Sequence, residues 1–235
     1  MSEIAENLTE VATNINAACL RVGRDEKSVS LIAVSKTFPA ESVREAFEAG
    51  QILFGESKVQ EAELKINALP GLLQWHFIGR VQRNKVRRLL QCFDVLHAID
   101  SLKLASFADE IATELGLFPQ VFLQVNIGDE ETKGGFAESV LRDEMEELLR
   151  LKRLEISGLM CIPPIGLDAE SARPWFKLLR EIRDALETEF GVNLPALSMG
   201  MSGDYEVAIE EGATHVRVGS AIFGKRSYRV DGELG

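Results

Sequence analysis

Cysteine is scarce. Cys19, Cys92 and Cys161 lie far apart, are odd in number and form no C-x-x-C pair. That excludes a disulfide scaffold and points to reduced, structural thiols in a cytosolic protein. No apolar run approaches the roughly 18 residues that a transmembrane helix needs. The polar, acidic start MSEIAENLTE resembles neither a secretory signal nor a mitochondrial presequence. Basic residues are the minority: 26 Lys and Arg against 37 Asp and Glu give a net charge of −11. Such a balance argues against a general nucleic-acid binder and against docking on anionic membranes. No G-x-G-x-x-G follows an early strand-like run, which counts against a dinucleotide-binding open sheet. The remainder is ordinary. With 46 % hydrophobic and 27 % charged residues the chain is neither disordered nor collagenous. Its 235 residues allow one or two domains, and barrels of this length are common as one.

One pattern recurs along the chain. A short apolar run leads to a polar or glycine-containing step and then to a charged helical stretch. The runs are LIAVSK (31–36), ILFGES (52–57), WHFIG (75–79), VLHAID (95–100), VFLQVNI (121–127), ISGLMCI (156–162), ALSMGMS (196–202) and HVRVGS (215–220). Continuous apolar runs suit parallel strands buried on both faces. Helices are expected between them: before Gly50, over 136–151, and along the stripe from Trp175 to Leu186 that stops at Gly191. The first 22 residues predict a leading helix, with Ile4, Leu8, Val11, Ile15 and Leu20 roughly in phase. Eight strand–helix units predict an α/β fold, a closed (β/α)8 TIM-type barrel with an extra N-terminal helix. The alternative is an open doubly wound sheet. No composition break marks a second domain, so one domain over 1–235 is expected, and the 163–174 segment is the longest loop expected.

In this fold the site lies at the C-terminal ends of the strands, and phosphate often binds after the seventh and eighth. The first run ends in Lys36. A lysine there either snorkels to water or serves as an amine nucleophile that forms a Schiff base. The last two runs end in Ser-Met-Gly-Met-Ser-Gly-Asp (198–204) and Val-Gly-Ser-Ala-Ile-Phe-Gly (218–224). Glycines let backbone N–H groups approach an anion, and serine hydroxyls add donors. Asp204 is a candidate cap for the helix that follows. Arg217 reads either as a barrel-end salt bridge or as a cation facing a ligand. Strand alternation places it with Gly219 and against Val218 and Ser220. Arg80, Arg83, Lys85, Arg87 and Arg88 crowd nine residues and read chiefly as solvated helix surface. His76 reads equally as core or as site. His97 and His215 lack metal-ligand spacing, so no metal is expected.

The segments AVSKT (33–37), FGES and VQEA (54–62), WHFIGRVQRNK (75–85), GLMCIPP (158–164), LSMGMSGDYEVAI (197–209) and VRVGSAIFG (216–224), in this order, resemble the pyridoxal phosphate homeostasis proteins. The resemblance runs from about residue 5 to 226, the expected core. It implies a single-domain barrel like the N-terminal domain of alanine racemase. It implies pyridoxal 5′-phosphate (PLP) held as an internal aldimine on Lys36. Ser202 and the Gly219–Ser220 turn would hold the phosphate, with Met201 nearby, and Arg217 would face the pyridine nitrogen. Ser57 would stand where the family commonly has asparagine, a shorter side chain with fewer hydrogen bonds. Arg80 replaces a frequent proline, and Ser220 a common threonine.

The implied role is that of a cytoplasmic carrier or regulator of PLP, with no catalytic residue assigned. Its partners would be PLP and PLP-dependent apo-enzymes, without nucleic acid or membrane, and the chain would be monomeric. An arginine opposite the ring nitrogen fits this role, because a guanidinium cannot take up a proton and leaves the electron sink weak. The competing readings are a racemase-like PLP enzyme, a class I Schiff-base aldolase, and an interaction module built on the 80–88 cluster.

Overall fold

A computed structural model describes residues 2–130, 133–164, 166 and 168–225. The chain opens with α1 (Glu3–Arg21). Ser2 caps it, its Oγ accepting from Ala5 N at 3.4 Å, and Glu3 and Glu6 meet the positive helix start. Leu8, Val11, Ile15 and Cys19 form its buried stripe.

Eight strands follow, each succeeded by a helix. They are β1 (Ser30–Val34), α2 (Ala40–Glu48), β2 (Leu53–Glu56), α3 (Val59–Ala68), β3 (Gln74–Phe77), α4 (Val86–Cys92), β4 (Val95–Ile99) and α5 (Leu102–Leu115). The second half runs β5 (Gln120–Gln124), α6 (Glu138–Leu149), β6 (Glu155–Met160), α7 (Ala169–Phe190), β7 (Ala196–Met201), α8 (Tyr205–Glu210), β8 (His215–Val218) and α9 (Ser220–Phe223). Each strand pairs in parallel with the next, and β8 closes on β1 through Leu31 beside Val216 and Ala33 beside Val218. The molecule is therefore the expected closed (β/α)8 barrel with an added N-terminal helix, and each apolar run coincides with one strand to within a residue at its start.

The runs overshoot the strands at their C-terminal ends, because those last residues leave the sheet to build the mouth. The helix expected over 136–151 occupies Glu138–Leu149. The expected 163–174 loop is shorter, since α7 starts at Ala169, where Asp168 Oδ1 accepts from Ser171 N at 2.8 Å. Ile165 and Leu167 of that loop, and Arg226 at the edge of the expected core, lie outside the described residues. At Gly158 a Cβ would come within 1.8 Å of Ala196 O, so β6 and β7 approach this closely only around glycine.

Candidate functional site

A cavity of about 260 Å³ opens at the C-terminal mouth of the barrel. Lys36, Met201, Ser202, Arg217, Gly219 and Ser220 all line it. Val34, Ile78 and Ile162 supply apolar wall. Six of the seven residues expected to bind a cofactor are thus brought together from β1, β7 and β8. The seventh, Ser57, follows β2 and is half-buried. It is not among the described residues of this lining. Its backbone is instead pressed against Gly79, where a Cβ would lie 2.5 Å from Ser57 O.

Lys36 stands just beyond β1. Two residues past the strand end, it lines the cavity beside Val34. The residue after it, Thr37, has φ 72°, a left-handed conformation that is costly for a β-branched side chain.

The β7 and β8 ends are stitched by one hydroxyl. Ser202 Oγ accepts from Gly219 N at 3.1 Å and from Ala221 N at 3.4 Å. Gly219 passes so close to β1 that a Cβ would sit 3.2 Å from Val34 O. The alternation expected to separate Ser220 from Arg217 does not reach Ser220. Strand β8 stops at Val218, and the chain turns at Gly219 (φ −118°, ψ −73°) into α9. Ser220 therefore lines the same cavity as Arg217. Asp204 does not cap α8 with its side chain; its Oδ1 accepts from Met201 N at 2.6 Å and folds the 201–204 turn back on itself. Burial raises the Asp204 carboxyl, with Arg217 opposing the shift.

Arg217 is buried, and its partners are neutral. It donates to Ser198 Oγ at 2.6 Å and to Cys161 O at 2.9 Å. No ion pair between Arg217 and a carboxylate occurs among the described residues, so the salt-bridge reading is replaced by a solvent-shielded cation at the cavity floor. Burial pushes the guanidinium below its ordinary value.

Behind Arg217 runs a chain that the sequence did not disclose. Ser198 Oγ meets His97 Nδ1 at 2.8 Å, and His97 Nε2 meets His76 Nδ1 at 2.8 Å. His215 lies beside them, 6.1 Å from each ring, with Nδ1 at 2.8 Å from Thr214 Oγ1. Burial drives His76 down to about 3, His215 down to about 4, and His97 well below the ordinary value. All three rings are neutral at pH 7. The only sequence signal was that each histidine sits inside an apolar run.

The 80–88 cluster divides. Arg87 pairs with Glu114 and Arg88 with Glu63 on the surface, as solvated helix faces do. Arg83 stacks over Phe107 at 4.2 Å. Arg80 and Arg83 line a second cavity of about 580 Å³ with Lys103 and Asp100. Cys19 and Cys161 are buried, and burial pushes Cys161 up to about 12, so that thiol is unreactive packing.

The family model described as alanine racemase, N-terminal domain, matches residues 7–227. A relative in Aquifex aeolicus, a pyridoxal phosphate homeostasis protein, is 46 % identical over 224 residues, covering 95 % of this chain and 98 % of its own. The chain belongs to the pyridoxal phosphate homeostasis protein family. Two solved structures of one homologue, PipY of Synechococcus elongatus PCC7942, are also similar. The form without PLP is 42 % identical with a TM-score of 0.84, and the form with PLP bound is 41 % identical with a TM-score of 0.82. In both comparisons 94 % of this chain and 100 % of PipY are covered. For this member of the homeostasis protein family, the resemblance carried by AVSKT, WHFIGRVQRNK and VRVGSAIFG therefore extends over nearly the whole chain.

Proposed function

We propose that this protein binds pyridoxal 5′-phosphate in the mouth cavity and serves PLP homeostasis as a carrier or regulator without robust turnover. One observation carries the reading: an amine, a buried guanidinium, two hydroxyls and a glycine turn converge on a single cavity of about 260 Å³. That donor set fits the cofactor. When bound, the cofactor supplies an aldehyde that condenses reversibly with an amine, releasing water, and a ring that can withdraw electrons.

Lys36 is the amine that makes the covalent attachment. The Ser202 and Ser220 hydroxyls at the Gly219–Ser220 turn suit the phosphate, because hydroxyl donors favour an anion and the glycine allows close approach. Met201 lies beside them. Arg217 would face the ring nitrogen. A guanidinium has no proton-accepting site, so the ring stays a weak electron sink. Among the described lining residues there is no carboxylate and no imidazole, which leaves Lys36 as the one proton-transfer group. These features support holding over turnover.

By the same reading the protein acts as a monomer in the cytoplasm, delivers PLP to apo-enzymes, and engages neither nucleic acid nor membrane. Three free cysteines suit a reducing compartment. The test is the visible spectrum of wild type and Lys36→Ala, with and without added PLP. A band in wild type, absent from the variant and fixed to Lys36 by borohydride, is the expected result. No band in either protein would overturn it.

A further inference from the structure

A buried ion cluster lies behind β1, on the side of the barrel wall that faces α3. Ser35 and Glu56 are 0 % exposed and Lys65 is 4 % exposed. Val59 and Ala62 share the buried face of α3 with Lys65, so an ammonium occupies a position where packing alone would call for an aliphatic side chain. Lys65 Nζ donates to Ser35 O at 2.8 Å, to Glu56 Oε1 at 2.6 Å and to Glu61 Oε1 at 2.9 Å. An ammonium has three N–H donors, and all are used. Ser35 Oγ donates to the same Glu56 oxygen at 2.7 Å. Glu61 Oε1 also accepts from Thr37 N at 2.5 Å.

These contacts bracket one residue. Ser35 precedes Lys36 and is held by Lys65 directly. Thr37 follows Lys36, has φ 72°, and is held by Lys65 through Glu61. A further bond, Phe38 N to Ser35 O at 3.0 Å, closes the turn. A buried ion pair is a poor source of stability, because desolvation offsets the attraction. Here Glu56 Oε2 is buried with no hydrogen-bond partner among the described residues, a further cost. What the cluster supplies is a fixed backbone path on both sides of Lys36.

We propose that Lys65, Glu56 and Glu61 form a positioning device for Lys36. They lock the 35–37 turn so that the Lys36 amine is aimed into the cavity at the attack position. Lys65 is not itself the attaching amine. It stands on the helix side of β1, with Ser35, whereas Lys36 and Val34 line the cavity side. The inference rests on the proposed role of Lys36.

The test separates covalent capture from simple occupancy, using the full chain. The two probes are PLP and its 4′-deoxy analogue, which keeps the ring and phosphate but has no aldehyde. Capture of PLP is followed by stopped-flow rise of the visible band, and binding of the analogue by calorimetry. Lys65→Met alone would strand a buried carboxylate, so the double variant Glu56→Met with Lys65→Met removes both charges together. A second pair, Glu61→Ala and Glu61→Gln, alters the half-exposed end of the cluster. The double variant and Glu61→Ala are expected to capture PLP about tenfold more slowly, the cost of a misplaced attacking group, with unchanged affinity for the analogue. Glu61→Gln keeps an acceptor for Thr37 N and is expected to restore most of the rate. Folded variants with wild-type capture rates would overturn the proposal. So would parallel losses of capture and analogue affinity, which would mark the cluster as general scaffold. A wild-type protein that borohydride fails to label at Lys36 would overturn the site reading itself, and this inference with it.

Discussion

Arg217 and Ser198 share a hydrogen bond of 2.6 Å that joins the floor of the mouth cavity to the histidine chain in the barrel interior. The serine hydroxyl thus faces a cation on one side and a neutral imidazole on the other. It holds the guanidinium still without neutralising it.

Ser198→Ala is expected to break that join. His97 Nδ1 would lose its partner and Arg217 one of its two, which costs about 1–3 kcal/mol for a buried polar group left unsatisfied. Urea unfolding of the variant at pH 7 measures it. A loss indistinguishable from zero would mean that the site relaxes around the missing hydroxyl.

The histidine chain makes stability depend on acid. The folded values, about 3 for His76 and about 4 for His215, lie below the unfolded value near 6.5. The unfolded chain therefore takes up protons first as pH falls. Each ring contributes fully above about pH 6.5 and loses about 1.4 kcal/mol per pH unit below it, until its folded value is reached. Glu56 and Asp204 act in the opposite sense, since burial raises both carboxyls. The clean comparison is wild type against His76→Gln. Between pH 7 and pH 5 the variant should lose about 2 kcal/mol less stability than wild type in urea titrations. Equal losses would show that burial leaves His76 as basic in the folded protein as in the unfolded chain.

Gly158→Ala is expected to be severe. The added Cβ would fall 1.8 Å from Ala196 O, so β6 and β7 must separate. Overpacking of this kind costs about 1–3 kcal/mol or more. Thermal unfolding should show a lower Tm, with PLP uptake per folded molecule retained, because this pair of backbones lies away from the cavity lining.

Cofactor loading should stabilise the fold. At a PLP concentration 100 times the dissociation constant the gain is about 2.7 kcal/mol. Differential scanning fluorimetry should show this shift for wild type and a much smaller one for Lys36→Ala at the same concentration. Equal shifts would place the binding energy in the phosphate contacts rather than in Lys36.

Much of the architecture was legible in the chain because it is written locally. Each apolar run is long enough for one buried strand. Gly50, Gly191 and Gly212 have positive φ near the helix ends. Lys36, Arg217 and the Gly–Ser turns were legible as well, since a cation or a tight turn at the end of an apolar run stands out. Ser220 lies at the cavity as expected, but the alternation that sets it against Arg217 does not hold, because the strand ends two residues earlier. Asp204 was misassigned because a cap position also allows a backward bond to Met201 N.

By itself the sequence determined an α/β chain of eight strand–helix units with a leading helix, with a closed barrel favoured over an open sheet, and the motifs in their order carried the family resemblance. Only the tertiary structure decided which distant groups meet. His76, His97 and Ser198 come from three separate strands, and their contact depends on the stagger with which the barrel closes. Lys65 reaches Ser35 and Glu56 only because α3 packs across the ends of β1 and β2. Periodicity states which face of an element is buried; it does not state what that face will touch.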